Sequence, residues 1–282
     1  TLVGLLGQMI GYQVIVKRHF IDGIKPMGAS HTSVPREILG FGTQSWLQTT
    51  AGALGNVVDR FLVGIFIDPA AAGVYAICLQ LSQQIHLFLM RGLAFLMPSA
   101  TRATDGEADT PSLVGRYRSS LLITLAMVGA VTAPLYVLSG DVLRLWVGQD
   151  YSDRGEEVLR LLALYFAAWS GSVASFFFIN GAGLAVWNTT SNLLHGFLIV
   201  GAAVVLLPVT ELNVGGYARL LALPTMIIGF YALHRYAFKW QGTWDTFVFW
   251  LVLGAQLAAI ILLTPVIDAR LPSDVWGLFG VL

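Results

Sequence analysis

Long apolar runs recur along almost the whole chain, and they constrain its fold more than any other feature. Seven runs are complete, at 40–67, 71–100, 119–138, 158–182, 186–208, 214–234 and 244–267, and shorter ones stand at 1–16 and 275–282. A helix needs about 20 apolar residues to cross the hydrocarbon core of a bilayer. Charged residues make up only 11% of the chain, against about 25% in soluble domains. We therefore predict an integral membrane protein.

The backbone chemistry of a membrane interior limits the fold class further. Only helices and closed barrels satisfy every backbone hydrogen bond inside lipid. Barrel strands are about ten residues long with alternating polarity, and these runs are neither. The sequence predicts an all-α, polytopic transmembrane helical bundle. The single cysteine, Cys78, excludes an internal disulfide, and we expect no metal, no cofactor and, with a net charge of zero, no nucleic-acid partner.

The distribution of lysine and arginine between the loops predicts the orientation in the membrane. When the loops are assigned alternately to two sides, one side carries nine basic residues and the other three. Basic residues are concentrated on the cytoplasmic side of membrane proteins. Segments 17–39, 101–118 and 235–243 are therefore predicted to be cytoplasmic. We expect a multi-pass protein of the cell's inner (plasma) membrane.

Loop lengths predict how the helices are grouped. Segment 17–39 has the scattered Gly, Ser, His and Pro of a linker, which would place the truncated helix 1–16 in one bundle and a six-helix lobe, 40–234, in the next. Segment 244–282 would add further transmembrane helices, the last of them truncated. Within the long exterior loop, 141–147 is predicted to form a short helix with Leu143, Leu145 and Trp146 at the membrane surface.

Several charged residues interrupt the apolar runs, and each is expensive to place in lipid. They are Asp59, Arg60, Arg91, Arg160 and Arg219. A charge at the bilayer centre costs ~2.5–3.5 kcal/mol on insertion scales, so such residues normally face a bundle interior or a wet cavity. Arg160 stands two residues into its run and is expected to extend to the surface. Asp59 and Arg60 point about 100° apart on a helix, so each requires a different partner.

Polar residues near these charges form stripes along helix faces. Gln80, Gln83, Gln84 and Arg91 fall within about 100° of one another on an ideal helix, with His86 off that face as a predicted helix contact. A second stripe holds Asn56 and Asp59 with Arg60 nearby, and a third holds Asn188, Asn192 and His195. Interhelical hydrogen bonds would explain any one stripe. Three together favour a water-filled pathway, with Arg91 too deep to reach the surface easily.

Three segments carry a resemblance to a known family. The motifs are DRFLVG at 59–64, GVYA at 73–76 and PS at 98–99, then LRLWVG at 143–148 followed by VLRLLA, and NVGGYA at 213–218. In this order they resemble the second half of bacterial polysaccharide flippases of the O-antigen type. That family belongs to the same superfamily as the MATE drug exporters. The resemblance implies the second lobe of a two-lobe transporter.

The resemblance also implies a function. Such a transporter would move a lipid-linked (polyprenyl-pyrophosphate) oligosaccharide from the cytoplasmic to the outer leaflet by alternating access, for cell-surface polysaccharide biosynthesis. It would not be an enzyme, and its partners would be that substrate, membrane lipids and a coupling ion such as H⁺ or Na⁺. The predicted substrate-binding residues of the cavity are Arg91, Gln80, Gln83, Gln84, Asn56, Asp59, Arg60, Arg219 and Asn192.

Four alternatives remain open from the sequence. A MATE-like exporter of organic cations would need carboxylates facing the cavity, and Asp59 alone gives little support. A lipid II flippase shares the same superfamily. A membrane-embedded glycosyltransferase or polymerase would need a catalytic carboxylate or a large loop, and neither is evident. A structural membrane subunit would explain the helices but not the arginines inside them.

Overall fold

The computed structural model describes residues 57–104 and 110–268, together with isolated positions between 42 and 50. These residues contain helices and turns and no strand, which confirms the all-α helical bundle. The predicted helix at 1–16, the linker 17–39 and the run at 275–282 lie outside the described residues. So do Asn56 and the adjoining part of its stripe.

Helices follow one another with short connections throughout this region. We label them α1 (57–66), α2 (Pro69–Gly92), α3 (Leu96–Thr104), α4 (Thr110–Val137), α5 (Ser139–Trp146), α6 (Gln149–Ser170), α7 (Val173–Gly181), α8 (Ala185–Thr210), α9 (Val214–Ala222), α10 (Met226–Ala232) and α11 (Thr243–Asp268).

Four helical segments are long and apolar enough to span a membrane, so the chain is a multi-pass membrane protein. They are Thr110–Val137, Gln149–Gly181, Ala185–Ala237 and Thr243–Ile267. The 53-residue segment Ala185–Ala237 is a hairpin. It reverses at Glu211, whose φ of 48° is in the left-handed region. Contacts across the hairpin pair Ser191 with Thr225 and His195 with Ala222, as in two antiparallel passes.

Other contacts fix the directions of the remaining passes. Helix α2 runs parallel to α6, because Cys78 contacts Gly155 near one end and His86 contacts Ser170 near the other. Helix α4 runs antiparallel to α6–α7, with Tyr117 bonded to Ser175 and Ser139, just beyond its end, bonded to Arg160. The connections therefore alternate between the two ends of the bundle. Residues 110–118 and 235–243 share one end, where Arg118 lies 3.5 Å from Asp245.

The two ends of the bundle differ in charge as the loop count predicts. The end with the α4 and α11 N-termini exposes basic side chains such as Arg116, Arg235 and Lys239. The opposite end is mainly acidic at the start of α6, with Asp150 and Asp153 exposed. There, Asp68 caps α2 by accepting a hydrogen bond from the Ala71 N–H at 2.7 Å. That bond and the adjacent Arg154 guanidinium lower the pKa of Asp68.

Thiol labelling tests which end is cytoplasmic. We expect Asp150→Cys to react with a membrane-impermeant maleimide in intact cells, and Gln241→Cys to react only after permeabilisation. Both native side chains are exposed, whereas Cys78, the one native thiol, is fully buried and gives little background. The opposite labelling pattern would reverse the orientation that the basic residues predict.

The predicted short helix of the exterior loop is present as α5, Ser139–Trp146. Leu145 and Trp146 are exposed, as expected for residues at a membrane surface. The prediction for Leu143 is wrong: its side chain is fully buried and belongs to the apolar core with Val74 and Cys78. The helix turns inward at that position, where Leu143 packs close to Gly155 of α6.

Helix α11 packs along α4 within the same compact unit that holds the other described helices. Helices α1 to α10 precede it, and three of the four candidate membrane spans lie among them. The six-helix lobe with boundaries at 40 and 234 remains a prediction, because residue 40 lies outside the described residues. Nothing in the described contacts separates α11 from the bundle at 244.

Candidate functional site

The polar stripe predicted on α2 lies on an open face of the bundle. Gln80, Gln84 and Arg91 are exposed, and Gln83 is half-buried. Helix α2 packs along α6, a membrane-spanning segment, so these side chains project from within the membrane-spanning part of the protein. Three exposed polar or charged side chains would be costly to place against lipid. This face is therefore suited to water, to a polar ligand or to another protein surface.

Arg91 occupies a break in the apolar run that the sequence does not show. The run at 71–100 divides into α2 and α3, and Arg91 lies in the last turn of α2. A cation is stabilised at a helix C-terminus by the helix dipole. The nine residues of α3 follow it in the chain.

Asp59 and Arg219 form a buried ion pair between α1 and α9. Arg219 Nη2 lies 2.6 Å from Asp59 Oδ2, and their side chains are 3% and 1% exposed. The Tyr75 hydroxyl donates to the same carboxylate oxygen at 2.6 Å. The separate partner that the sequence requires for Asp59 is thus Arg219. Both residues were predicted to line a cavity, and the structure instead packs them against each other.

Arg60, the residue after Asp59, is half-buried. Its backbone N–H donates to Asp59 Oδ1 at 2.9 Å. Its side-chain Nε is buried without a hydrogen-bond partner among the described residues. Arg60 therefore remains a predicted site residue with no assigned contact.

Polar contacts continue from the ion pair toward the other end of the bundle. The Arg219 guanidinium lies over the Tyr165 ring, 5.5 Å from its centroid. The Tyr165 hydroxyl is 2.8 Å from His195 Nε2. His195 Nδ1 lies 3.0 Å from the Ala222 carbonyl oxygen, which can only accept, so this nitrogen carries the proton and Nε2 accepts from Tyr165. The imidazole is stacked on Trp169, with ring centroids 4.0 Å apart.

Trp169 forms part of the wall of a cavity of about 270 Å³ that is partly open to the outside of the protein. Helices α2, α6, α7, α8 and α10 contribute to it. Its polar lining consists of His86, Ser172, Ser175, Asn188, Ser191 and Asn192. The lining contains no Asp, Glu, Lys or Arg. The cavity lies in the half of the bundle near the C-termini of α2 and α7 and the N-terminus of α8, the end predicted to be cytoplasmic.

Sequence patterns identify some of these residues and miss others. Asn188 and Asn192, one turn apart, share an inward face as predicted, and Asn192 lines the cavity. His86 contacts Trp169 as a helix-contact residue, and it also faces the cavity. Trp169 is missed, because an aromatic residue in an apolar run is usually core. The sequence feature that could indicate Trp169 is its i, i+3 spacing to Ser172, which places the two residues on one helix face.

No family model, curated protein or solved structure matches the chain.

Proposed function

We propose that this chain is part of a transporter that moves a lipid-linked oligosaccharide from the cytoplasmic to the outer leaflet by alternating access. The observation that carries the proposal is the exposed stripe of Gln80, Gln84 and Arg91 on α2. In a transporter of two lobes, such a face would line the central pathway. Arg91 would meet the pyrophosphate of the substrate, because a guanidinium binds phosphate through paired, charge-assisted hydrogen bonds.

The charges of the described residues favour this substrate over an organic cation. A cation exporter needs a carboxylate that faces the pathway. Asp59 is the carboxylate that interrupts a predicted membrane-spanning run. It is paired with Arg219 and accepts a hydrogen bond from Tyr75. The exposed charge on the α2 stripe is an arginine, which would repel a cation and attract an anion.

Reconstitution of the full-length protein tests the proposed activity. Liposomes would contain a tagged polyprenyl-pyrophosphate oligosaccharide on one leaflet only, and a membrane-impermeant lectin would report its appearance on the other. We expect protein-containing liposomes to expose the sugar faster than protein-free ones. A parallel assay would follow entry of a fluorescent organic cation into the same liposomes under a proton or sodium gradient.

The two assays separate the candidate functions. Translocation of the sugar without cation uptake supports the flippase. Cation uptake without translocation of the sugar would replace it with the MATE-like exporter. A heat-inactivated sample of the same protein controls for leakage of the liposomes.

A further inference from the structure

We propose that the cavity between α2, α6, α7, α8 and α10 binds one uncharged sugar ring of the transported molecule. This inference rests on the proposed function and adds a binding site for the carbohydrate itself. The cavity wall combines an indole, two amides, three serine hydroxyls and an imidazole without an acidic or strongly basic side chain.

The uncharged lining makes the cavity a poor site for the pyrophosphate of the substrate and for an organic cation. A pyrophosphate would lack a cation to pair with in this wall, and an organic cation would lack a carboxylate to balance its charge. Neither is present among the lining residues. A sugar ring is uncharged, rich in hydroxyl groups and edged by C–H groups, so it matches a wall that offers hydrogen bonds and aromatic surface.

Two amides in the cavity have hydrogen-bonding capacity to spare. Asn188 donates through Nδ2 to the Phe176 carbonyl and to Asn180 Oδ1, each at 3.0 Å, and its Oδ1 has no partner among the described residues. These bonds hold the Asn188 side chain in place. The side chain of Asn192, one turn along α8, makes no hydrogen bond within the described part of the chain. One fixed acceptor and one free amide can therefore bind neighbouring hydroxyls.

The indole of Trp169 is held by its neighbours as a flat part of the wall. It stacks on His195 at 4.0 Å and lies 6.3 Å from His86 between ring centroids. His195 is itself fixed by Tyr165 and by Thr225, whose hydroxyl oxygen lies 2.9 Å from Nδ1. A rigid aromatic surface binds a ligand without loss of side-chain freedom. The sugar site is thus preorganised on the Trp169 side and adaptable at Asn192.

The location and size of the cavity fit the same assignment. Met90 lines it while the next residue, Arg91, is exposed on the α2 stripe. A pyrophosphate at Arg91 would therefore place the attached sugar near the cavity. At about 270 Å³, the cavity is close to the lower limit of small-molecule pockets, ~300 Å³. It suits a single ring, not a whole oligosaccharide.

Saturation-transfer NMR on the detergent-solubilised full-length protein tests the site with methyl glucoside and N-acetylglucosamine as probes. We expect transfer to at least one sugar, and about tenfold weaker binding in Asn192→Leu, which corresponds to ~1.4 kcal/mol. Thr190→Leu is the matched control, because Thr190 is exposed on the same helix and does not line the cavity. Its sugar binding should equal that of the wild type.

Competition and transport measurements complete the test. Inorganic pyrophosphate and tetraethylammonium should not displace the sugar. Displacement by either ion, absence of transfer to both sugars, or equal binding by wild type and Asn192→Leu would overturn the sugar site. Translocation by the wild type in the liposome assay would leave the proposed function standing in each of those cases. Sugar binding that depends on Asn192, in a protein that translocates nothing, would support the site and contradict the flippase.

Discussion

Replacing Arg219 by Met should lower the free energy of unfolding by about 3–5 kcal/mol, because it leaves the Asp59 carboxylate buried without its cation. The pair is almost completely shielded, and only two neutral donors, the Tyr75 hydroxyl and the Arg60 backbone N–H, would remain bonded to the carboxylate among the described residues. The double variant Asp59→Asn/Arg219→Met removes both charges and should recover most of the loss. Unfolding in mixed detergent micelles, followed by circular dichroism, measures all three proteins.

The exposed pair Arg154–Asp68 provides the control. Its two charged atoms are 2.8 Å apart, against 2.6 Å in the buried pair, but its side chains are 46% and 39% exposed. Exposed pairs contribute little, so Arg154→Met should unfold almost as the wild type does. If Arg219→Met were equally stable and instead lost transport, Arg219 would face the substrate in another conformation, as the sequence predicts, and the ion pair would not be a structural contact.

The Asp59–Arg219 pair shows where prediction from sequence ends. A carboxylate within an apolar run requires a partner, and that requirement follows from the sequence. The identity of the partner does not, because Arg219 is 160 residues away along the chain. Two further residues that support the ion pair lie between Asp59 and Arg219 in the sequence. Tyr75 reads as an ordinary core residue, and Gly215 allows its ring to pack directly against α9.

Helical periodicity gives the α2 stripe but not the cavity. Gln80, Gln84 and Arg91 lie on one helix, so a period of 3.6 residues is enough to place them on one face. The cavity draws single residues from several helices, and no spacing within one segment identifies them. The break after Gly92 is likewise hidden, because the apolar composition continues through it. Charge counts along the loops, by contrast, predict which connections share an end of the bundle.

Arg91→Ala should lower transport per molecule by about 10- to 100-fold if Arg91 binds the pyrophosphate. Hydrogen bonds to charged groups contribute ~1.5–3 kcal/mol, and tenfold corresponds to ~1.4 kcal/mol. Arg91→Lys keeps the charge but loses the planar pair of donors, so it should retain part of the activity. Because the native side chain is exposed, neither change should reduce the amount of protein in the membrane. Polysaccharide export and membrane protein level are measured together for each variant.

The competing explanation assigns Arg91 to the structure of the helix end. Its position in the last turn of α2 would let it stabilise the terminal carbonyls and the helix dipole. In that case Arg91→Ala would lower the protein level, Arg91→Lys would restore it fully, and export per molecule would stay near that of the wild type. Arg116→Ala removes another exposed arginine, on α4, and controls for the loss of one positive charge. Normal export per molecule in Arg91→Ala would remove Arg91 from the substrate path, and the stripe of Gln80 and Gln84 would then more simply be a surface that packs against another protein segment.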